Sequence, residues 1–102
     1  MKDPVIRIRR AETADQAVIV EFNRRLARET EGRELDAAVV DAGVRRALSL
    51  GDESQYFVAE DSSGVVGQVL MTREWSDWQN GWRMWLQSVY VREDRRGQGV
   101  FK

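Results

Sequence analysis

Histidine and cysteine are both absent from this 102-residue chain, and proline occurs once, at Pro4. Without cysteine there is no disulfide, no thiolate metal ligand and no thiol to carry a covalent thioester route. Without histidine there is no Ser-His-Asp triad, no imidazole base and none of the common zinc sites. Charge of one sign is lacking too: 16 basic side chains face 17 acidic ones, for a net −1. Such a balance creates no global field for nucleic acid or an anionic membrane. No apolar run approaches the roughly 18 residues of a membrane span, and no signal-peptide core follows Met1-Lys2-Asp3-Pro4, so a soluble, cytoplasmic protein is expected. The length suits a single domain over 1–102, one that buries about two thirds of its unfolded surface.

What is present alternates at two periods. Val5-Ile6-Arg7-Ile8-Arg9-Arg10 puts Ile6 and Ile8 on one face and Arg7 and Arg9 on the other, a strand with a charged outer face. Thr13-Ala14-Asp15-Gln16 fits a capping box with Thr13 as N-cap, opening a helix with Val18, Phe22 and Leu26 on one stripe. A second helix starts at Asp36, with Leu35 and Val40 in staple positions, and Gly51 supplies its C′ stop. Gln55 to Glu60 and Val65 to Thr72 form a hairpin around Asp61-Ser62-Ser63-Gly64. Asn80-Gly81 then turns the chain into a last strand from Trp85 to Val91, apolar on both alternating sets and so read as buried on both faces. The order is β-α-α-β-β-β, an α+β arrangement with a mainly antiparallel sheet and two helices.

Directly after that strand comes Arg92-Glu93-Asp94-Arg95-Arg96-Gly97-Gln98-Gly99-Val100-Phe101. Two glycines beside cations, where a strand should turn into a helix, have the chemistry of an anion cradle: the backbone can approach a phosphate and unpaired N–H groups can point at it. By composition alone the same residues also make a solvated basic turn. A Walker-type G-x-x-x-x-G-K-[ST] is absent, and Lys102 stands where a dinucleotide fingerprint needs its third glycine.

A V-x-V strand end followed by Arg96-x-x-Gly99-x-Phe101 resembles the Q/R-x-x-G-x-G/A motif of the GNAT acetyltransferase superfamily, with Phe101 where that family has Gly or Ala. The element order is similar to the N-terminal half of the GNAT fold, and the resemblance implies further elements beyond those in this sequence. It implies acetyl-CoA as co-substrate and direct acetyl transfer to an amine, with weak or no catalysis by these residues alone. Main-chain groups of Val89, Tyr90 and Val91 would hold the pantetheine arm, and Arg96, Gly97, Gln98, Gly99, Val100 and Phe101 would surround the pyrophosphate, with charge from Arg95 and Arg96. A backbone N–H near Val89 resembles the family's oxyanion donor.

Transfer to an amine needs a neutral nucleophile, an oxyanion donor and a proton for the departing thiolate. With no histidine or cysteine, a carboxylate acting directly or through water is the expected base, and Glu74 and Asp77 are the candidates beside the aromatic segment. Gln87 and Ser88 can orient the acceptor. Trp75, Trp78, Trp82 and Trp85 can form an aromatic wall for a cationic or apolar acceptor, or can pack across strands with no ligand at all. No metal is expected. An edge strand that is apolar on both sides should find a partner through Trp85 to Val91, by self-association, through a complementing chain or by aggregation. Rival readings are a non-catalytic CoA or phosphate-binding module and a structural association domain built on the Trp-rich hairpin. RNA binding is disfavoured by the missing RNP1 pattern and by the charge balance.

Overall fold

A computed structural model describes residues 5–101; the readings of Met1 to Pro4 and of Lys102 lie outside them. Along the chain run β1 (Arg7–Arg10), α1 (Gln16–Glu31), α2 (Ala37–Ser49), β2 (Ser54–Asp61), β3 (Gly64–Ser76) and β4 (Gly81–Val91), with 3₁₀ turns at Thr13–Asp15, Gly51–Glu53 and Glu93–Arg95. The strands form one antiparallel sheet in the order β1-β2-β3-β4. This is the α+β arrangement of two helices on an antiparallel sheet that the element order implied. Among the described residues no helix is long and apolar enough to cross a membrane.

Both helices cover the same face. Ile19 of α1 and Val44 of α2 pack with Tyr56 and Val58 of β2, and Leu70, Val40 and Leu48 close around them. Cross-strand partners share a face, so the register carries that face across the sheet: Gln68 lies opposite Val58, Leu70 opposite Tyr56, and Tyr90 opposite Gln68. The other face carries Ile8, Phe57, Ala59, Gly67, Val69 and Met71.

Helix starts show how local chemistry and tertiary partners combine. Asp36 caps α2 as expected, its carboxylate accepting from Val39 N at 3.0 Å. Ahead of α1 the capping box forms one residue earlier than the Thr13 reading, with Glu12 as N-cap of the 3₁₀ turn, while the N-cap of α1 itself is Asp15. Asp15 turns back to accept from Glu12 N at 2.7 Å, and α1 proper begins at Gln16. The reason is Arg9, which grips the same carboxylate with two bonds of 2.8 and 3.0 Å.

That pair also corrects the reading of β1. Register places Arg9 opposite Val58 and Arg7 opposite Glu60, on the helix side, while Ile8 lies on the opposite face and is exposed. The arginines are tolerated there because Asp15 and Glu60 meet them: Arg9 Nε lies 3.1 Å and Arg7 Nη2 2.9 Å from Glu60 Oε1. A second correction concerns β4. Its apolar sequence suggested burial on both faces, yet Trp85, Leu86 and Val89 are all exposed and only Tyr90 is buried. β4 is the sheet's edge, paired on one side only among the described residues.

Candidate functional site

The site is organised by a bulge in β4. Gln68 pairs with Tyr90, but Leu70 pairs with Gln87, so Ser88 and Val89 together oppose Val69. Ser88 absorbs the extra residue at φ 50°, a left-handed conformation that costs a non-glycine residue roughly 1–2 kcal/mol. Something must hold it there. Gln68 Nε2 donates to the Ser88 carbonyl oxygen at 3.0 Å and to Asn23 Oδ1 at 3.0 Å, and Asn23 Nδ2 donates to the Tyr56 hydroxyl at 3.1 Å. Gln68 is 0% exposed. A carbonyl oxygen can only accept, so the carboxamide must present its NH₂ to Ser88, which leaves Oε1 buried with no partner. Burial pushes the Tyr56 phenol up, partly offset by hydrogen bonds with Asn23 and Ser88.

Two clefts open beside the bulge. The larger, about 770 Å³, runs between α1 and α2, with Asn23, Tyr56 and Ser88 among its polar lining, apolar walls from Leu26, Val40 and Val44, and Glu31, Arg33 and Asp36 also lining it. A smaller one of about 330 Å³ follows β4 toward the glycine loop, lined by Leu26, Glu29, Thr30, Val89, Tyr90, Val91 and Arg96. Ser88, Val89, Tyr90, Val91 and Arg96 are therefore brought together along one strand edge.

Beyond β4 the loop is pinned from several sides. Arg92 N donates to the Val66 carbonyl at 2.7 Å, and the Arg95 guanidinium bonds Asp61 at 2.8 Å, whose side chain is 1% exposed. Ser63 and Arg95 hold the Asp61 carboxyl well below the usual carboxylate range. Arg96 lies over the Tyr90 ring at 5.1 Å, donates to the Val91 carbonyl at 2.7 Å and pairs with Glu29 at 2.8 Å. Glu29 also accepts from the Tyr90 hydroxyl at 2.7 Å, so its carboxyl is lowered first by Tyr90 and then by Arg96. Both arginines singled out in the sequence thus already have carboxylate partners. The amides are different: among the described residues no well-formed hydrogen bond takes up the N–H groups of Gly97, Gln98, Gly99, Val100 or Phe101. Gly97 and Gly99 take φ of 81° and 67°, which favour glycine. The Phe101 ring folds back onto the open face of the sheet at Gly67.

The remaining sequence candidates lie elsewhere. Gln87 donates to Thr72 Oγ1 at 2.7 Å on the sheet. Glu74 lies opposite Arg83, five residues along β4 from Ser88 and so roughly 17 Å away at about 3.4 Å per residue. Asp77 is in the turn beyond, and neither carboxylate lines the clefts described above. Trp75 and Trp82 pack edge-to-face at 5.2 Å with Arg73 4.3 Å from the Trp82 ring. By register Trp85 is on the opposite face, and Trp78 stands in the turn, so the four indoles do not make one wall. Among the described residues no group of three or more Asp or Glu is placed to hold a metal ion. Sequence reasoning passed over Asn23, Gln68, Glu29 and Glu31; only the polar interruption of an apolar strand at Gln68 offered a signal.

A family model for the GNAT acetyltransferase family matches residues 18–102. Among solved structures, a possible acetyltransferase from Clostridium difficile 630 is 44% identical with a TM-score of 0.87, covering 95% of this chain and 64% of that one. An integron cassette protein from the mobile metagenome of Cole Harbour Salt Marsh is 22% identical at a TM-score of 0.84, over 91% of this chain and 60% of the other. A predicted acetyltransferase from Clostridium acetobutylicum, described with acetyl-CoA, is 16% identical at 0.76, over 94% of this chain and 66% of the other. These last two likenesses speak to the fold. No curated protein matches. The chain spans 60–66% of the length of these three relatives. With most of its length matched by the family model and a 44% identical relative covering nearly all of it, the chain belongs to the GNAT acetyltransferase family.

Proposed function

We propose that this chain binds acetyl-CoA along the edge of β4 and takes part in direct acetyl transfer to an amine, with no covalent enzyme intermediate. The observation that carries this reading is the run of N–H groups from Gly97 to Phe101, which make no well-formed hydrogen bond among the described residues and follow a strand whose bulge faces two clefts. Such a run is a receptor for a diphosphate, and the strand edge from Val89 to Val91 suits an extended amide-bearing arm. The Clostridium acetobutylicum neighbour described with acetyl-CoA supports the choice of ligand. Since Arg95 and Arg96 are paired with Asp61 and Glu29, the amides carry most of the phosphate recognition.

The acceptor enters the larger cleft, where its amine meets the thioester next to Ser88. A carboxylate, acting directly or through water, remains the base this chain offers. Glu74 and Asp77 serve only an acceptor long enough to span from the bulge toward the hairpin end, whereas Glu31 lines the cleft itself. The test is an acetyl-CoA titration followed by amide shifts. The Gly97 to Phe101 amides move in a saturable way if the reading holds, and an unchanged loop overturns it. Thiol release against a panel of amines then reports turnover.

Association through the edge strand is a second reading, favoured by the exposure of Trp85, Leu86 and Val89 on β4. Sedimentation decides it: a concentration-independent monomer removes it.

A further inference from the structure

Gln68 is a polar side chain buried where an apolar one would pack, at the cost of an unpartnered Oε1. Its position in the sheet explains what it holds. It sits on β3 beside the bulge, and its Nε2 draws the Ser88 carbonyl inward. No peptide bond among the described residues is cis. In a trans peptide the C=O of one residue and the N–H of the next point in opposite directions. With the Ser88 oxygen held by the Gln68 carboxamide, the N–H of Val89 is turned away from that carboxamide, and among the described residues β4 pairs with β3 alone, which leaves its other edge open. That edge borders the smaller cleft, which Val89 lines, and Ser88 lines the larger.

We infer that Gln68 is a positioning residue that aims the Val89 N–H at the thioester carbonyl oxygen, using the Ser88–Val89 peptide as its lever. The inference rests on the acetyl-CoA reading above and adds to it the side chain that orients the donor. When the amine nitrogen adds to the thioester carbon, the C–N bond forms and the carbonyl electron pair moves onto oxygen, where the N–H meets it. Collapse of that adduct breaks the C–S bond, the thiolate leaves, and the proton lost by the amine goes to base or solvent. Asn23 and Tyr56 complete the device. Asn23 accepts the second Gln68 N–H and donates to Tyr56, so the carboxamide cannot turn without breaking bonds to both α1 and β4.

The test is Gln68→Met, close in shape and without donors, read by the carbon resonance of acetyl-CoA labelled at the thioester carbonyl. In the unaltered chain that resonance moves downfield on binding; in Gln68→Met it returns toward the free value while acetyl-CoA affinity stays within about twofold, because the diphosphate end is untouched. Where turnover is measurable, kcat falls about 10²-fold with KM for acetyl-CoA little changed. A variant that folds, binds and keeps the full carbonyl shift overturns the inference. Should the variant not fold, the unaltered chain decides through two signals. One is scalar coupling across the bond from Gln68 Nε2 to the Ser88 carbonyl carbon; the other is a Val89 amide shift with acetyl-CoA that CoA alone does not produce. Loss of either signal refutes it. A chain that shows no acetyl-CoA binding at all refutes the functional reading instead, and the inference falls with it.

Discussion

The ring of Phe101 lies against Gly67, so close that a Cβ on Gly67 would stand 3.1 Å from Phe101 Cε2 and 3.1 Å from the Tyr90 carbonyl oxygen. Gly67 is therefore required for space, at the point where the loop after β4 is seated on the sheet. Gly67→Val is expected to lift the ring from its seat, cost about 1–3 kcal/mol in urea unfolding and weaken acetyl-CoA binding. Unchanged stability together with retained contacts between the Phe101 ring and residue 67 would contradict this.

Asp61 anchors the same loop from below through Arg95. Its carboxyl is held well below the usual carboxylate range, first by Ser63 and then by Arg95. A depressed folded pKa means that the contribution is fully present above the ordinary Asp value of about 3.9 and is lost only as pH falls through the lower folded value. Carboxyl carbon titration should accordingly place the Asp61 midpoint well under 3.9, and Asp61→Asn should shift the amides from Arg92 to Gly97 at neutral pH. A midpoint near 4 refutes the anchor.

Arg9 and Asp15 tie β1 to the start of α1. The Asp15 carboxyl is lowered chiefly by the Arg9 hydrogen bonds, against the opposing effect of burial. Asp15→Asn is expected to cost about 1–3 kcal/mol at pH 7, since the part-buried Arg9 guanidinium loses one of its two charged acceptors and keeps only Glu60. The sign with pH is the same as for Asp61: the difference from the unaltered chain persists above about pH 3.9 and shrinks as pH falls through the folded pKa of Asp15. Urea midpoints at both ends of that range measure it, and a constant difference would be inconsistent with the pair.

At the far hairpin, Trp75 and Trp82 are coupled and Trp78 is 93% exposed. Circular dichroism should show an exciton couplet that Trp82→Phe removes and Trp78→Phe leaves intact, with the latter changing stability by less than about 0.5 kcal/mol. Equal effects from the two substitutions would place the indoles differently.

The two helices, the meander and the Asp36 cap were legible because each is written in local spacing and turn chemistry. What could not be read locally was decided by partners distant in sequence. The stripe of α1 centres on Ile19 and takes in Asn23, which a search for apolar spacing skips. Gln68 interrupts an otherwise apolar stretch, Val65 to Met71, and it is buried because Asn23, 45 positions earlier, meets it. Arg9 of β1 faces inward because carboxylates at Asp15 and Glu60 are waiting. Within the site, the glycine loop and the strand before it were visible as a pattern. The bulge at Ser88 was not, since a register shift is a property of two strands together.

Calorimetry comparing acetyl-CoA with acetyl-pantetheine, which lacks the diphosphate, tests the central claim most directly. If the Gly97 to Phe101 amides receive the diphosphate, acetyl-CoA binds with one site per chain and acetyl-pantetheine at least about tenfold more weakly, the equivalent of roughly 1.4 kcal/mol. No heat with acetyl-CoA, or equal affinity for the two ligands, would contradict it.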